Sequence, residues 1–342
     1  MENLLVNKVA AVKEVRQAAE YQKKKQACIL TGLAGSSKPV FFAAADKLLG
    51  GKGSMAFITA SREEIRTYRR ELNYLYPDLP MQELYPVSLP RVQADTQSLE
   101  LQAGRAAALR FLSGEERGIV FITAEALQQK QLRPSGMSGK ALQLAVGEEH
   151  EQRNIAAALL DLGYERTEQV DALGQFCLRG DILDVYPINS STAVRIEWFD
   201  NELDAMRSFD VDTQRSLQTL TSIKIAPLKV DESFSYDADI FEYCAADTMV
   251  VVDEPVHVFS MLEKLDKENK EHASELFGKQ ELIEQLAANG AVLVSALGHS
   301  YLQQLPSLNI PVRAVAPYNK NTNLLVEDLQ NWLAEGITPL IM

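Results

Sequence analysis

Five short apolar runs punctuate the chain, and they constrain its fold more than any other feature. They are Ala27-Cys-Ile-Leu30, Ser54–Ala60, Gly118–Thr123, Thr248–Val252 and Ala291–Ala296. Each is too short for a buried helix. None alternates with polar residues, as a strand with one wet face would. They read as strands buried on both faces, the pattern of a parallel sheet covered by helices. Stretches of helical composition lie between them: Ser37–Leu49, a segment running from Ser61 to about Leu75, Ser98–Leu112, Val256–Leu265, Ala273–Asn289 and Leu324–Glu335. Ser61-Arg-Glu-Glu64 is a capping-box pattern that marks a helix start.

The alternation breaks in the middle. Arg133-Pro-Ser-Gly-Met-Ser-Gly139 is rich in breakers and marks a domain edge. After it Ala141–Val146 alternates, Glu151–Leu162 is helical, and short alternating segments run to about Arg207. From Leu220 the first pattern returns, with Ile223–Leu228 strand-like. The expected organisation is one α/β domain, residues 1–140 and 220–342, interrupted by an inserted α+β domain with an antiparallel sheet, residues 141–219. The final run, Ile337-Thr-Pro-Leu-Ile-Met342, resembles a strand entering more protein and is read as the mark of a fragment.

Composition removes several function classes. The 342 residues suffice for two or three domains. No run approaches the ~20 apolar residues of a membrane span, and no signal-peptide pattern opens the chain. The three cysteines, Cys28, Cys177 and Cys244, and the four histidines are scattered, without disulfide or metal-ligand spacing. A reducing cytoplasm is the simple reading. A net charge of −13 repels phosphate, so any DNA contact has to be local, weak or supplied by other parts. Lys23-Lys-Lys25 reads as a solvated helix end.

Gly32-Leu-Ala-Gly-Ser-Ser-Lys-Pro39 sits between a strand and a helix, where a phosphate loop would sit. Gly32, Gly35 and Lys38 hold recognisable positions. Ser37, however, stands where a second glycine is needed, and Pro39 where the Mg²⁺-binding hydroxyl belongs. Proline also lacks the N–H that a helix start offers to phosphate. The reading is a structural strand-turn-helix with a degenerate nucleotide site and no cofactor. Val250-Val-Val-Asp-Glu-Pro255 looks like a Walker B strand, but the simpler reading is that Asp253 or Glu254 caps a helix with Pro255 near its first position.

Gly174–Pro187, Val194–Asp200 and Arg207–Leu217 carry charged and aromatic residues at strand spacing, with no nucleophile among them. Alternate side chains of a strand share a face. Arg195, Glu197 and Phe199 therefore point one way, and Val194, Ile196 and Trp198 into a core. In the preceding strand Cys177 and Arg179 share one face, Phe176 and Leu178 the other. With polar faces aligned, Arg179, Arg195, Glu197 and Phe199 form one patch of hot-spot composition. Spacing alone favours the simpler alternative, a solvated sheet face with Arg–Glu cross-strand pairs. Gly180 marks a bulge or bend.

These segments resemble the N-terminal region of bacterial transcription-repair-coupling factors, the module related to the excinuclease component UvrB. Phe176-Cys-Leu-Arg-Gly-Asp-Ile-Leu-Asp-Val-Tyr-Pro187, Arg195-Ile-Glu-Trp-Phe-Asp200 and Ser208–Leu217 carry the likeness, and the flanking α/β regions follow in order. The resemblance implies a degenerate RecA-like helicase-type domain whose inserted domain recruits the excinuclease component UvrA, a non-catalytic role in transcription-coupled nucleotide excision repair. The family's contact residues fall on Arg179, Arg195, Glu197 and Phe199. It also implies an intramolecular contact that masks this patch in the full protein. RNA polymerase binding and ATP-driven translocation would lie in regions absent here. There are departures. UvrB usually has a second Arg where this chain has Cys177, and neither its competent phosphate loop nor its long aromatic hairpin is present. The alternative is an ATP-binding half-motor related to UvrB, supported only by Lys38.

Overall fold

The structure is a computed structural model that describes residues 4–89, 99–134, 141–228, 236–296, 304–312, 318 and 321–337. Most of the breaker-rich stretch 133–139 and of the apolar run 337–342 lies outside them. The strands, in chain order, begin with β1 (Cys28–Thr31), β2 (Met55–Thr59), β3 (Met81–Leu84), β4 (Ile119–Thr123) and β5 (Gln131–Leu132). The middle region supplies β6 (Leu142–Ala145), β7 (Glu165–Arg166), β8 (Gln175–Arg179), β9 (Ile182–Val185), β10 (Ala193–Phe199), β11 (Glu202–Phe209), β12 (Ser216–Leu220) and β13 (Ser222–Ile225). The chain then adds β14 (Tyr236–Ala238), β15 (Met249–Asp253), β16 (Val292–Ser295) and β17 (Ser307–Asn309).

Seven strands form one sheet in the order β17-β1-β16-β15-β2-β4-β3, and every pairing in it is parallel. All five apolar runs are in it, and the pleat divides their side chains between two cores. Ile29, Ala56, Ile58, Val120, Ile122, Val250, Val252 and Leu293 pack on one face. Helices Leu99–Ser113, Pro255–Glu268 and Lys279–Ala288 cover them through Phe111, Leu112, Phe259, Leu262 and Leu286. Cys28, Leu30, Met55, Phe57, Ile119, Phe121, Val251 and Val294 pack on the other. Helices Ser37–Leu48 and Arg62–Leu75 cover that face with Phe41, Phe42, Ile65, Tyr68 and Leu72. The fold class is therefore α/β, with a parallel sheet and a separate antiparallel unit.

The antiparallel unit is a sheet in the order β12-β11-β10-β9-β8-β7. Among the described residues its core is drawn only from those between Leu142 and Leu228, with Phe176, Val194, Ile196, Trp198 and Met206 at the centre under helix Gln152–Asp161. The chain leaves and re-enters the parallel-sheet unit side by side, because β5 and β14 pair antiparallel. Arg133 and Asp237 form an ion pair of 2.8 Å beside that pair.

Two expectations meet a different geometry. The strand-like segment after Leu220 is β13, and it pairs with β6 rather than joining the parallel sheet. Hydrogen bonding of the middle unit thus runs past the 219/220 boundary. The helical stretch expected over Ala273–Asn289 is split. A short 3₁₀ segment, Lys270–Glu275, ends before Phe277 donates its N–H to the Gln128 carbonyl, and a new helix starts after Gly278. Among the described residues no helix is long and apolar enough to cross a membrane.

Candidate functional site: a polar sheet face and a filled phosphate-loop position

Two-residue turns join β8 to β9 and β10 to β11, since Arg179 faces Ile182 and Phe199 faces Glu202. Each turn opens on a residue with left-handed φ, Gly180 at +55° and Asp200 at +59°, as tight hairpin loops demand. Gly180 is therefore a turn residue and not a bulge. The bulge lies instead in the β10–β11 pairing, between Glu197 and Trp198.

The pleat of β10 separates its side chains as the alternation predicts. Val194, Ile196 and Trp198 are buried, and the Trp198 indole donates to the His150 carbonyl at 2.9 Å. Arg195 and Glu197 are half-buried on the opposite face, and Phe199 is 76% exposed at the hairpin tip. Register brings the other strands to the same face. Cys177, Asp184, Arg195 and Arg207 lie in one cross-strand row, and Arg179, Ile182, Glu197 and Ala205 in the next.

Asp184 holds this face together. Its carboxylate is buried, 2% exposed, and Arg195 grips it through Nε (2.6 Å) and Nη2 (2.9 Å). Arg179 adds a contact from Nη2 at 3.1 Å. Fork-shaped contacts of this kind are the strong ones. The Asp184 hydrogen bonds hold the Arg195 guanidinium above its ordinary pKa, against some loss of hydration. Arg195 also donates to Gln214 at 3.0 Å and lies 4.6 Å from the Phe209 ring centroid. Its guanidinium is thus committed inside the face. Arg207 pairs with Glu197 across β10 and β11, while its Nε is buried without a hydrogen-bond partner.

Half of the face is roofed. Cys177, Val170, Ala193 and Phe209 form a small core of their own, and the Cys177 thiol donates to the Glu168 carbonyl. Cys177 is therefore interior. The other half, toward the two hairpin tips, stays open. There Arg179 and Phe199 are the exposed members, the Arg179 side chain at 54% against 18% for Arg195. The sequence reading placed Arg179, Arg195, Glu197 and Phe199 on one face and missed Asp184 and Arg207. Both carry the same period-2 signal, but their pairing depends on strand register.

The phosphate-loop position is filled from within. Gly32 has φ +85°, and a Cβ there would lie 2.6 Å from the Ile310 carbonyl oxygen, because the segment after β17 runs across the loop. Val312 donates its N–H to the Gly32 carbonyl. The loop closes on itself: Ser37 Oγ donates to the Ala34 carbonyl and accepts from the Ala34 N–H, and the N–H groups of Ser37 and Lys38 bond to Ala34 and Gly35. Lys38, 8% exposed, binds Asp253 Oδ1 at 2.6 Å and Glu254 Oε1 at 2.8 Å. Burial opposes its charge, but the hydrogen bonds and charges of Asp253 and Glu254 win, and its pKa sits above the ordinary lysine value. Burial also opposes the Glu254 charge, yet its pKa lies below the usual carboxylate range, held there by Lys38, the Ala296 N–H and the Ser295 hydroxyl. Among the described residues no group of three His, Cys, Asp or Glu side chains has metal-site geometry.

Residues 142–230 match the family model of the UvrB interaction domain. The chain is 36% identical over 203 residues to the transcription-repair-coupling factor of Bacillus subtilis, covering 59% of this chain and 17% of that protein. It is 28% identical over 165 residues to the factor of Escherichia coli, covering 48% and 14%. For that of Staphylococcus haemolyticus the figures are 32% over 202 residues, 58% and 17%. The matched stretch is thus less than a fifth of each relative's length. The resemblance read from β8 to β12 is borne out.

Proposed function

We propose that this relative of the transcription-repair-coupling factors is a recruitment module of DNA repair, whose antiparallel unit docks the excinuclease component UvrA on the open half of its polar sheet face. The observation that carries the reading is Phe199, a large ring 76% exposed on the same face as the exposed Arg179. An aromatic anchor beside a guanidinium is a typical hot-spot pairing. The antiparallel unit is taken as residues 141–228, since β13 pairs with β6. The parallel-sheet unit serves as a scaffold and does not turn over ATP. Lys38 already has two carboxylate partners and the loop N–H groups bond to the loop itself, which supports that reading. The module works in the cytoplasm. In a longer protein the same face is open to an intramolecular cover, which equal affinities of the module and the longer protein for UvrA would rule out.

The test is calorimetric binding of purified UvrA to the wild type, Arg179→Ala and Phe199→Ala. Phe199→Ala should cost about 2 kcal/mol, roughly 30-fold in affinity. Undiminished binding by both variants rejects the docking face. For the scaffold reading, a fluorescent ATP analogue should show no saturable binding, and micromolar binding that Lys38→Ala abolishes would restore the half-motor.

A further inference from the structure

The polar face contains one buried carboxylate that the docking reading does not explain. Asp184 is among the most enclosed polar side chains of the antiparallel unit, yet it lies in the row between Cys177 and Arg195. A buried charge is costly unless it is paired and hydrogen-bonded. Asp184 meets that condition with two arginines of unequal standing. Arg195 takes both carboxylate oxygens and is largely enclosed itself. Arg179 reaches one oxygen with a single nitrogen, and most of its side chain remains in solvent.

We infer that Asp184 is a positioning residue of the docking face: it orients Arg179 through one nitrogen so that the rest of the guanidinium is presented beside Phe199 to a carboxylate of the docked protein. An arginine has five N–H donors in a planar fork, so one bond to Asp184 leaves a free edge for a second carboxylate. A long side chain held in its bound rotamer loses less entropy on association than a mobile one. Arg195 supplies the counter-charge at the buried carboxylate, bonding both of its oxygens, and so fixes the anchor. The face therefore divides its cations by role. Arg195 holds the carboxylate, and Arg179 uses it as a rest.

The inference builds on the docking reading and makes a prediction of opposite sign to a simple charge argument. If the face acted by net charge alone, Asp184→Asn would make it more positive and tighten binding of a partner carboxylate. Positioning requires the reverse, about a tenfold loss of affinity for purified UvrA. The experiment is a double-mutant cycle on the full chain with Asp184→Asn and Arg179→Ala, each checked by circular dichroism to be fully folded at the assay temperature. In the Arg179→Ala background the loss from Asp184→Asn should vanish. Equal losses in both backgrounds would show a purely structural role, and tighter binding by Asp184→Asn would show a charge effect; either overturns the inference. If Asp184→Asn does not fold, Arg179→Lys takes its place. Lysine keeps the charge but cannot rest on Asp184 and offer a planar edge, so it should bind as poorly as Arg179→Ala, and retained binding overturns the inference. The docking reading itself fails on a different result, wild-type affinity for both Phe199→Ala and Arg179→Ala.

Discussion

At the scale of single residues, the polar face sorts its members into those that hold the sheet and those that are offered outward. Arg195 belongs to the first group. Its removal strands the Asp184 carboxylate in the interior with only the single Arg179 contact, and breaking such a pair is expensive. Arg195→Ala should therefore lower the stability of the antiparallel unit by about 3 kcal/mol in urea unfolding. Phe199→Ala should change it by less than about 0.5 kcal/mol, since an exposed ring at a hairpin tip contributes little to the core. A large loss of stability in Phe199→Ala would mean that the ring packs inside. Period-2 alternation was enough to put Arg195, Glu197 and Phe199 opposite Val194, Ile196 and Trp198. It could not rank the two arginines. That ranking depends on Asp184 facing Arg195 across β9 and β10, a matter of register.

At the scale of elements, Lys38 ties the start of helix Ser37–Leu48 to the end of β15 and the turn after it. The sequence showed a phosphate loop that had lost a glycine and a hydroxyl, but not that the surviving lysine is consumed by the acids of the Walker-B-like strand. These lie more than 200 residues away in the chain. The ion triad gives the parallel-sheet unit a defined pH response. Glu254 is depressed in the folded state, so its contribution is complete above the ordinary carboxylate value of 4.5 and fades as pH falls below it. Lys38 is raised, so its contribution is complete below 10.5 and fades as pH climbs beyond. Thermal unfolding across pH should show a plateau between these limits, and Lys38→Met should lower the plateau and flatten both flanks. Flanks unchanged in Lys38→Met would show that the triad does not set them. Gly278 shows the opposite case, a local breaker that the helical composition of 273–289 concealed until Phe277 found its partner at Gln128.

At the scale of the whole molecule, among the described residues, the core of the antiparallel unit takes none from outside 142–228, and neither core of the parallel-sheet unit takes one from inside it. Residues 141–228 expressed alone should therefore fold, with dispersed amide resonances, and should bind UvrA with nearly the affinity of the full chain. A tenfold weaker fragment would place part of the docking surface on the parallel-sheet unit. The fold class is legible in the linear pattern of residues. Runs buried on both faces and segments buried on one are distinguished by the period of their hydrophobicity, a local property written into every strand. It also marked the interruption and the side of β10 that faces outward. Chain pairing and core closure settle the rest: β13 pairs with β6, Asp184 anchors two arginines unequally, and Lys38 has partners already. Each of these depends on which strands pair and in what register, whether the partners are five residues apart, as Arg179 and Asp184 are, or more than 200, as Lys38 and Asp253 are. Hydrogen-bond register and the enclosure of a charge are set when strands pair and cores close, and no local pattern encodes them.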